Sequence, residues 1–203
     1  MYTNRIANVV VFLFFLIFGF ILKTMYDAGE FKKLEPHFSG DCSPVIGVVG
    51  AEDITFLSNG TALISSDDRR TRISGTEVQG TIYQYNPKAK NQKLINLMPE
   101  LDTSFHPHGI SVYEEPSGET YLAVVNHHSS GLFNSSEGHS IDIFIYESNS
   151  LVHFMSVSSP LMISPNDIVL INKDQFYVTN DHGSSSRLEQ TLEEYLQQKK
   201  CNV

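Results

Sequence analysis

The chain has 203 residues, of which 41% are hydrophobic and 11% aromatic, a composition typical of a folded domain rather than a disordered chain. Its 23 Asp and Glu outnumber its 14 Lys and Arg, giving a formal net charge of -9. Because phosphate binding needs clustered Lys and Arg, this composition argues against a nucleic-acid partner and favours bound cations.

An apolar segment without charges opens the chain, from Ile6 to Leu22 between Arg5 and Lys23. As a helix it would span roughly 25 Å, a little less than the ~30 Å membrane core. It is longer than the apolar core of a signal peptide, about 7–15 residues, and no convincing cleavage site follows it. We therefore predict an uncleaved signal anchor, with a cleaved signal peptide as the alternative.

The anchor divides the chain into three predicted parts: a membrane segment (1–26), a linker (27–41) and a domain (42–203). Either form of the segment places the domain outside the cytosol, in the secretory pathway at the endoplasmic reticulum or the cell surface. Positive charges on both sides leave the orientation open. Two glycosylation sequons, beginning at Asn59 and Asn134, fit that compartment.

Short β-rich runs separated by Gly, Asn, Pro and Ser follow, which predicts an all-β domain. The dipeptide Asn59-Gly60 lies between two such runs and favours a type I′ hairpin, because both central residues of that turn need positive φ. Three further hairpins are predicted, pairing 109–113 with 121–125, 141–146 with 151–157, and 168–171 with 175–178.

One plan recurs in three of these hairpins: polar residues precede an Ile-led strand, a turn follows, and the return strand ends in another polar pair. The leading residues are Ile54, Ile110 and Ile168. This spacing exceeds the ~40–50 residues of a common propeller blade, as expected for blades with insertions. We predict part of a β-propeller, in which equivalent strand ends meet at one end of a central channel; chance similarity among hairpins is the alternative.

Polar pairs at these strand ends offer oxygen ligands: Glu52 and Asp53 before one strand, Asn166 and Asp167 before another. Ca²⁺ takes six to eight such oxygens, from carboxylates, amides and backbone carbonyls, at about 2.3–2.6 Å. Ordinary turn residues are the alternative, but the repeat favours a metal site.

The histidines of His106-Pro107-His108 and His127-His128 are candidate bases near neutral pH. Zinc would require a third protein ligand, so we rank a histidine base beside an oxygen-bound cation above a zinc site. The sequence has no Gly-x-Ser-x-Gly elbow to support a serine hydrolase.

One amphipathic helix is predicted from Ser186, where Ser186 and Glu189 form a capping box. Its polar face is acidic, so we expect the apolar face to pack on the domain rather than on a membrane. That face consists of Leu188, Leu192, Tyr195 and Leu196.

The motifs GAEDITFLSNGTALISS, FHPHGIS, LAVVNH, PNDIV and FYVTNDH, in this order, resemble the paraoxonase/arylesterase family from about Cys42 to His182. The resemblance implies a six-bladed β-propeller with two Ca²⁺ ions in its channel, of which about the first three blades are present. It implies hydrolysis of small-molecule lactones, aryl esters and, in some members, organophosphates. It also implies an uncleaved hydrophobic N-terminus.

The same motifs imply roles for single residues. Glu52 and Asn166 match ligands of the catalytic Ca²⁺, and His108 matches a base toward the hydrolytic water, with His127 as its partner. The structural Ca²⁺ is matched by Asp53, Asp167 and the backbone carbonyl of Ile110; Asn126, Asp181 and His182 fall in motifs that line the site.

The resemblance also implies what this chain lacks. Further ligands of the catalytic ion, and the disulfide partner of Cys42, are expected from a second half that would begin near Val203; Cys201 is not that partner. Residue patterns alone leave open whether Cys42 and Cys201 pair. The chain is therefore expected to be the N-terminal portion of an esterase or lactonase. A non-catalytic, membrane-anchored propeller that assists folding of partner membrane proteins, as in some nematode relatives, is the alternative, and an inert truncation product is a third.

Overall fold

The computed structural model describes residues 2–90, 93–98, 104–128 and 138–203. It divides the chain into two compact units, Met1–Pro44 and Val45–Val203, which we consider separately.

The N-terminal unit is dominated by helix α1, Tyr2–Asp27. Its stretch Arg5–Asp27, 23 residues long, is apolar enough to cross a membrane, and its length of about 35 Å covers a ~30 Å core. The helix extends past the predicted apolar segment to Asp27, whose carboxylate forms an ion pair with Lys23 one turn earlier. A signal sequence has the same composition, so the membrane anchor stays a prediction.

The second unit is mostly β-sheet, and its described residues contain ten strands in three antiparallel sheets. Two sheets have four strands each, in the orders β1-β2-β3-β4 and β5-β6-β7-β8, and the third is the hairpin β9-β10. The strands are β1 (Ala51–Phe56), β2 (Ala62–Ser66), β3 (Thr81–Tyr85), β4 (Ile95–Asn96), β5 (Pro107–Glu114), β6 (Thr120–His127), β7 (His139–Glu147), β8 (Ser150–Val157), β9 (Pro165–Asn172) and β10 (Gln175–Asn180).

All four predicted hairpins are confirmed by strand pairing, β1 with β2, β5 with β6, β7 with β8 and β9 with β10. The type I′ turn predicted at Asn59-Gly60 is wrong, because Gly60 has a positive φ of 83° and Asn59 does not. Strands β3 and β4 were not predicted; they complete the first sheet after a short helix, α2 (Arg69–Ile73). Four-stranded antiparallel meanders of this kind are the blades of β-propellers.

The core lies in two clusters on either side of the second sheet, because β6 is buried on both faces. Successive side chains of a strand point to opposite faces, so Leu122 and Val124 join one cluster with residues of the first sheet such as Leu63. Ala123 and Val125 join the other cluster, which also contains Ile168 and Leu170 of β9. Each large apolar side chain buried in this way contributes about 1.5–3 kcal/mol to stability.

Helix α3 (Arg187–Tyr195) begins as predicted at Ser186, whose hydroxyl accepts a hydrogen bond from the backbone N–H of Glu189 at 3.3 Å. The expected packing of its apolar face is wrong. Leu188 is 72% exposed, and the buried residue of the helix is Glu193. Glu193 is held because its carboxylate accepts a hydrogen bond from the backbone N–H of Gly183 at 3.1 Å.

Candidate functional site

The three repeated hairpins share a structural feature that the sequence analysis missed, a β-bulge at the start of each leading strand. In the first two hairpins, the register of the paired strands shifts between Ala51 and Ile54 and between Pro107 and Ile110. In the third, the shift lies between Pro165 and Ile168 of β9, which pair with Asn180 and Val178 of β10. The residue pairs 52–53, 108–109 and 166–167 lie in these intervals, and all of these residues except Gly109 are polar. Bulges re-aim side chains, and a pair of polar or glycine residues before the first apolar strand residue was the available signal.

The bulged ends of β1, β5 and β9 approach one another closely. A Cβ atom added to Gly109 would lie 2.5 Å from the carbonyl oxygen of Asn166 and 2.6 Å from the Cα of Asp167. On the other side of β5, the Asp53 carboxylate accepts a hydrogen bond from the backbone N–H of Ile110 at 2.8 Å. The polar strand ends therefore meet at one place in the fold.

His108 links the ends of β1 and β9. Its Nδ1 lies 2.9 Å from the carbonyl oxygen of Asn166, and its Nε2 lies 3.1 Å from Oε1 of Glu52. A carbonyl can only accept, so Nδ1 carries a proton, and the contact with Glu52 requires another proton between the two atoms. Burial lowers the pKa of His108, with the positive charge of Arg69 acting in the same direction and Glu52 opposing both.

Arg69, near the start of α2, lies on the far side of the Glu52 carboxylate, with 3.7 Å between its Nη1 and Oε2 of Glu52. Glu52 thus contacts one cationic and one titratable group.

His127 stands beside His108 at the end of β6. The two rings are 5.2 Å apart between centroids and nearly perpendicular, at 89°. Burial, followed by the neighbouring His139 and His108, lowers the pKa of His127 to about 2. His127 is therefore a neutral imidazole at physiological pH.

A buried polar network supports the end of the strand that carries His127. The Asn126 side chain accepts a hydrogen bond from the backbone N–H of His106 and donates one to Asp142, both at 2.8 Å. The hydroxyl of Ser140 donates to the other oxygen of Asp142, also at 2.8 Å. Asn126, Asp142 and Ser140 are all buried, so the network fixes the hairpin beside the site.

His106, the other histidine of the His-Pro-His motif, is part of the core. It is 2% exposed, and its Nδ1 lies 3.2 Å from the Asp67 carboxylate, to which Arg72 donates a hydrogen bond at 2.8 Å. The burial of His106 and Asp67 leaves His106 no access to a substrate.

The remaining predicted residues have separate surroundings. Asp181 accepts a hydrogen bond from the Asn166 side chain and so belongs to the strand-end cluster, whereas His182 contacts Glu194 of α3 at 3.0 Å. Asn59 is exposed at the tip of the β1-β2 hairpin, and its side chain accepts a hydrogen bond from the Thr61 N–H at 2.8 Å.

The structure does not test the predicted glycosylation of Asn134 or the predicted disulfide of Cys42. Asn134 falls outside the described residues. Cys42 and Cys201 are exposed free thiols, so the predicted disulfide of Cys42 stays a prediction.

The donor chemistry of the cluster fits a hard cation, but the described residues do not complete a coordination shell. Among them, no group of three or more His, Cys, Asp or Glu side chains is arranged to hold a metal ion. Asp53 and Asp167 each accept a hydrogen bond from the next backbone N–H, at 2.7 Å. The five predicted ligands, shared between two ions, fall short of the six to eight oxygens that each Ca²⁺ takes.

Known proteins provide an independent comparison. The family model described as Arylesterase matches residues 37–203. Serum paraoxonase/arylesterase 2 of Gallus gallus is 32% identical over 173 residues, which cover 81% of this chain and 47% of that protein. Serum paraoxonase/lactonase 3 of Oryctolagus cuniculus is 32% identical over 179 residues, 83% of this chain and 48% of that protein. Serum paraoxonase/arylesterase 1 of Homo sapiens is 30% identical over 183 residues, 81% of this chain and 47% of that protein.

The chain thus spans about half the length of the curated relatives it matches. The matched region contains all the motifs that carried the resemblance, and the family prediction is confirmed. The chain belongs to the paraoxonase/arylesterase family.

Proposed function

We propose that the protein containing this chain is a calcium-dependent hydrolase of aryl esters and lactones, built on a six-bladed β-propeller. One observation carries the proposal: His108, the predicted base, contacts both Glu52 and Asn166, the two predicted ligands of a single cation. The relatives' names, which include arylesterase and lactonase, support this substrate class.

Two sets of residues would hold the two ions. Glu52 and the Asn166 side chain would contribute to the catalytic site, and Asp53, Asp167 and the Ile110 carbonyl to the structural site. A bound Ca²⁺ would supply polarisation of the ester carbonyl and stabilisation of the developing oxyanion. Because the described donors do not complete either shell, the activity is proposed for the whole protein.

The base chemistry follows from the hydrogen bonds of His108. The carbonyl of Asn166 holds the proton on Nδ1 and orients the ring, which leaves Nε2 to accept a proton from water. Nε2 becomes available for this step when the Glu52 carboxylate is engaged by a cation instead of by the histidine. His127 packs perpendicular to this ring as its neutral partner.

The proposed setting is the secretory pathway. Helix α1 would act as a membrane anchor, Asn59 and Asn134 would carry glycans, and Cys42 would form a disulfide with a residue beyond this chain. Support comes from the length and apolar composition of α1 and from the exposed position of Asn59.

The test is hydrolysis of phenyl acetate and of a δ-lactone by the full-length protein and its variants. H108Q and E52Q are expected to lower kcat at least about 100-fold, the lower end of the range for general acid–base catalysis. The exposed His153 of β8 provides a matched control, and H153Q should retain wild-type rates. Wild-type rates in H108Q would contradict the proposed base.

A second candidate rests on the exposed apolar helix α1: a non-catalytic, membrane-anchored propeller that assists folding of partner membrane proteins. It predicts a correctly folded full-length protein with no calcium-dependent turnover of either substrate.

A further inference from the structure

A third imidazole, His139 on β7, lies directly across the strand pair from His127. The two residues are register partners in the β6-β7 ladder. Their rings are 4.8 Å apart between centroids, at 88°, and their Nδ1 atoms are 2.8 Å apart. Sequence reasoning did not single out His139, because it belongs to none of the recognised motifs.

The distance of 2.8 Å constrains the protons of both rings. Two imidazole nitrogens form a hydrogen bond only if one carries a proton and the other a lone pair. Two positive charges at this distance are excluded, because burial lowers the pKa of both His127 and His139. Each ring is neutral and has a single N–H.

In the hydrogen bond between the two Nδ1 atoms, either His127 or His139 could be the donor. The backbone of Ile163 raises the pKa of His139. A backbone group that raises the pKa of an imidazole is a carbonyl acceptor. This effect favours the arrangement in which the single N–H of His139 faces that backbone and its Nδ1 lone pair faces His127.

We propose that His139 is a positioning residue for His127: it accepts a hydrogen bond from Nδ1–H of His127, fixes that tautomer, and leaves the lone pair of His127 on Nε2. The catalytic consequence rests on the proposed function, whereas the tautomer assignment does not. Setting the tautomer of a functional histidine is a task that carboxylates and backbone carbonyls perform in other proteins.

A neutral acceptor differs from a carboxylate in its effect on charge. It orients the ring without stabilising an imidazolium, so His127 stays neutral beside His108. His139 also borders a cleft of about 440 Å³ with His128 and Met162. A change at position 139 therefore has adjoining space to adjust into, which favours folding of the variants.

The experiment compares full-length wild-type protein with H139L, H139Q and the control H153L. Two-bond ¹⁵N–¹H spectra of histidine-labelled protein report which ring nitrogen of His127 is protonated. Steady-state hydrolysis of phenyl acetate gives kcat and KM. Gln can still accept a hydrogen bond, whereas Leu cannot.

We expect protonated Nδ1 at His127 in the wild type, in H139Q and in H153L, and a mixed tautomer in H139L. In H139L, kcat should fall about 10- to 100-fold, as is typical when the partner that orients a functional histidine is removed, with KM nearly unchanged. H139Q should recover most of this loss.

Three results would overturn the assignment: protonated Nε2 on His127 in the wild type, an unchanged tautomer in H139L, or a transition metal found by elemental analysis between two unprotonated Nδ1 atoms. A protein that hydrolyses no ester but shows the expected tautomers would refute the proposed function and leave the assignment of His139 in place.

Discussion

Lowering the pH from 7 to 5 is expected to destabilise the folded protein through His127. Burial, with the neighbouring imidazoles, lowers the pKa of His127 to about 2 in the fold, whereas the unfolded chain has a histidine pKa of about 6.5. The unfolded state therefore takes up a proton in this range and the folded state does not. The stability that depends on neutral His127 is complete above pH 6.5 and is lost as the pH falls below it.

The magnitude follows from linkage. Between pH 7 and pH 5 the unfolded histidine goes from about 24% to about 97% protonated, which costs the fold about 2 kcal/mol. The size of this loss is set by the histidine pKa of the unfolded chain, because pH 5 lies far above the pKa of His127 in the folded state. His139, whose pKa is also lowered mainly by burial, adds to the loss in the same direction.

Urea unfolding at pH 7, 6 and 5, followed by circular dichroism at constant calcium, measures this loss. The wild type should lose at least about 2 kcal/mol between pH 7 and 5, and H127N should lose about 2 kcal/mol less than the wild type. H153N, which changes an exposed histidine of β8, should behave as the wild type. The reasoning is refuted if H127N keeps the full pH dependence, or if the wild type is more stable at pH 5.

Two further substitutions test the architecture of the site. N126A removes hydrogen bonds to the buried Asp142 carboxylate and the His106 backbone N–H. The free energy of unfolding, measured by urea titration, should therefore fall by about 2 kcal/mol or more. The control N149A changes an exposed residue and should alter it by under about 0.5 kcal/mol. G109A places a Cβ against Asn166 and Asp167. Calorimetric titration should show that its calcium affinity is weakened by about tenfold or more. The control G138A, which has open space for a Cβ, should bind calcium as the wild type does. An unchanged unfolding midpoint in N126A, or unchanged calcium affinity in G109A, would count against the arrangement described for these strand ends.

Local sequence patterns were sufficient to predict the hairpins and the final helix. At Asn59-Gly60 the pattern predicted the hairpin but not the type of turn, because Gly60 adopts a positive φ of 83° and Asn59 does not. Strand β4 was missed because it is only two residues long and is held by its partner strand rather than by its own pattern. Strand β3 was missed although its five residues, TIYQY, favour strands. The exposure of Leu188 was missed because periodicity locates an apolar face without showing what covers it.

The site was predictable only in part. The repeat placed Glu52, His108 and Asn166 at equivalent strand ends, since polar residues before an Ile-led strand recur in the sequence. The pairing of His127 with His139 depends on the register of β6 and β7, and strand register is set by tertiary packing and turn geometry. The buried role of His106 was also invisible, because a partner 39 residues away, Asp67, determines it.

The central claim, calcium-dependent ester hydrolysis, is tested most directly by removing and restoring the ion. The measurement is the rate of phenyl acetate hydrolysis by the full-length protein before EDTA treatment, after it, and after Ca²⁺ is added back. The proposed site predicts turnover that EDTA abolishes, that Ca²⁺ restores, and that H108Q lacks under all three conditions. A folded protein with no turnover, or with turnover that EDTA leaves unchanged, would contradict it.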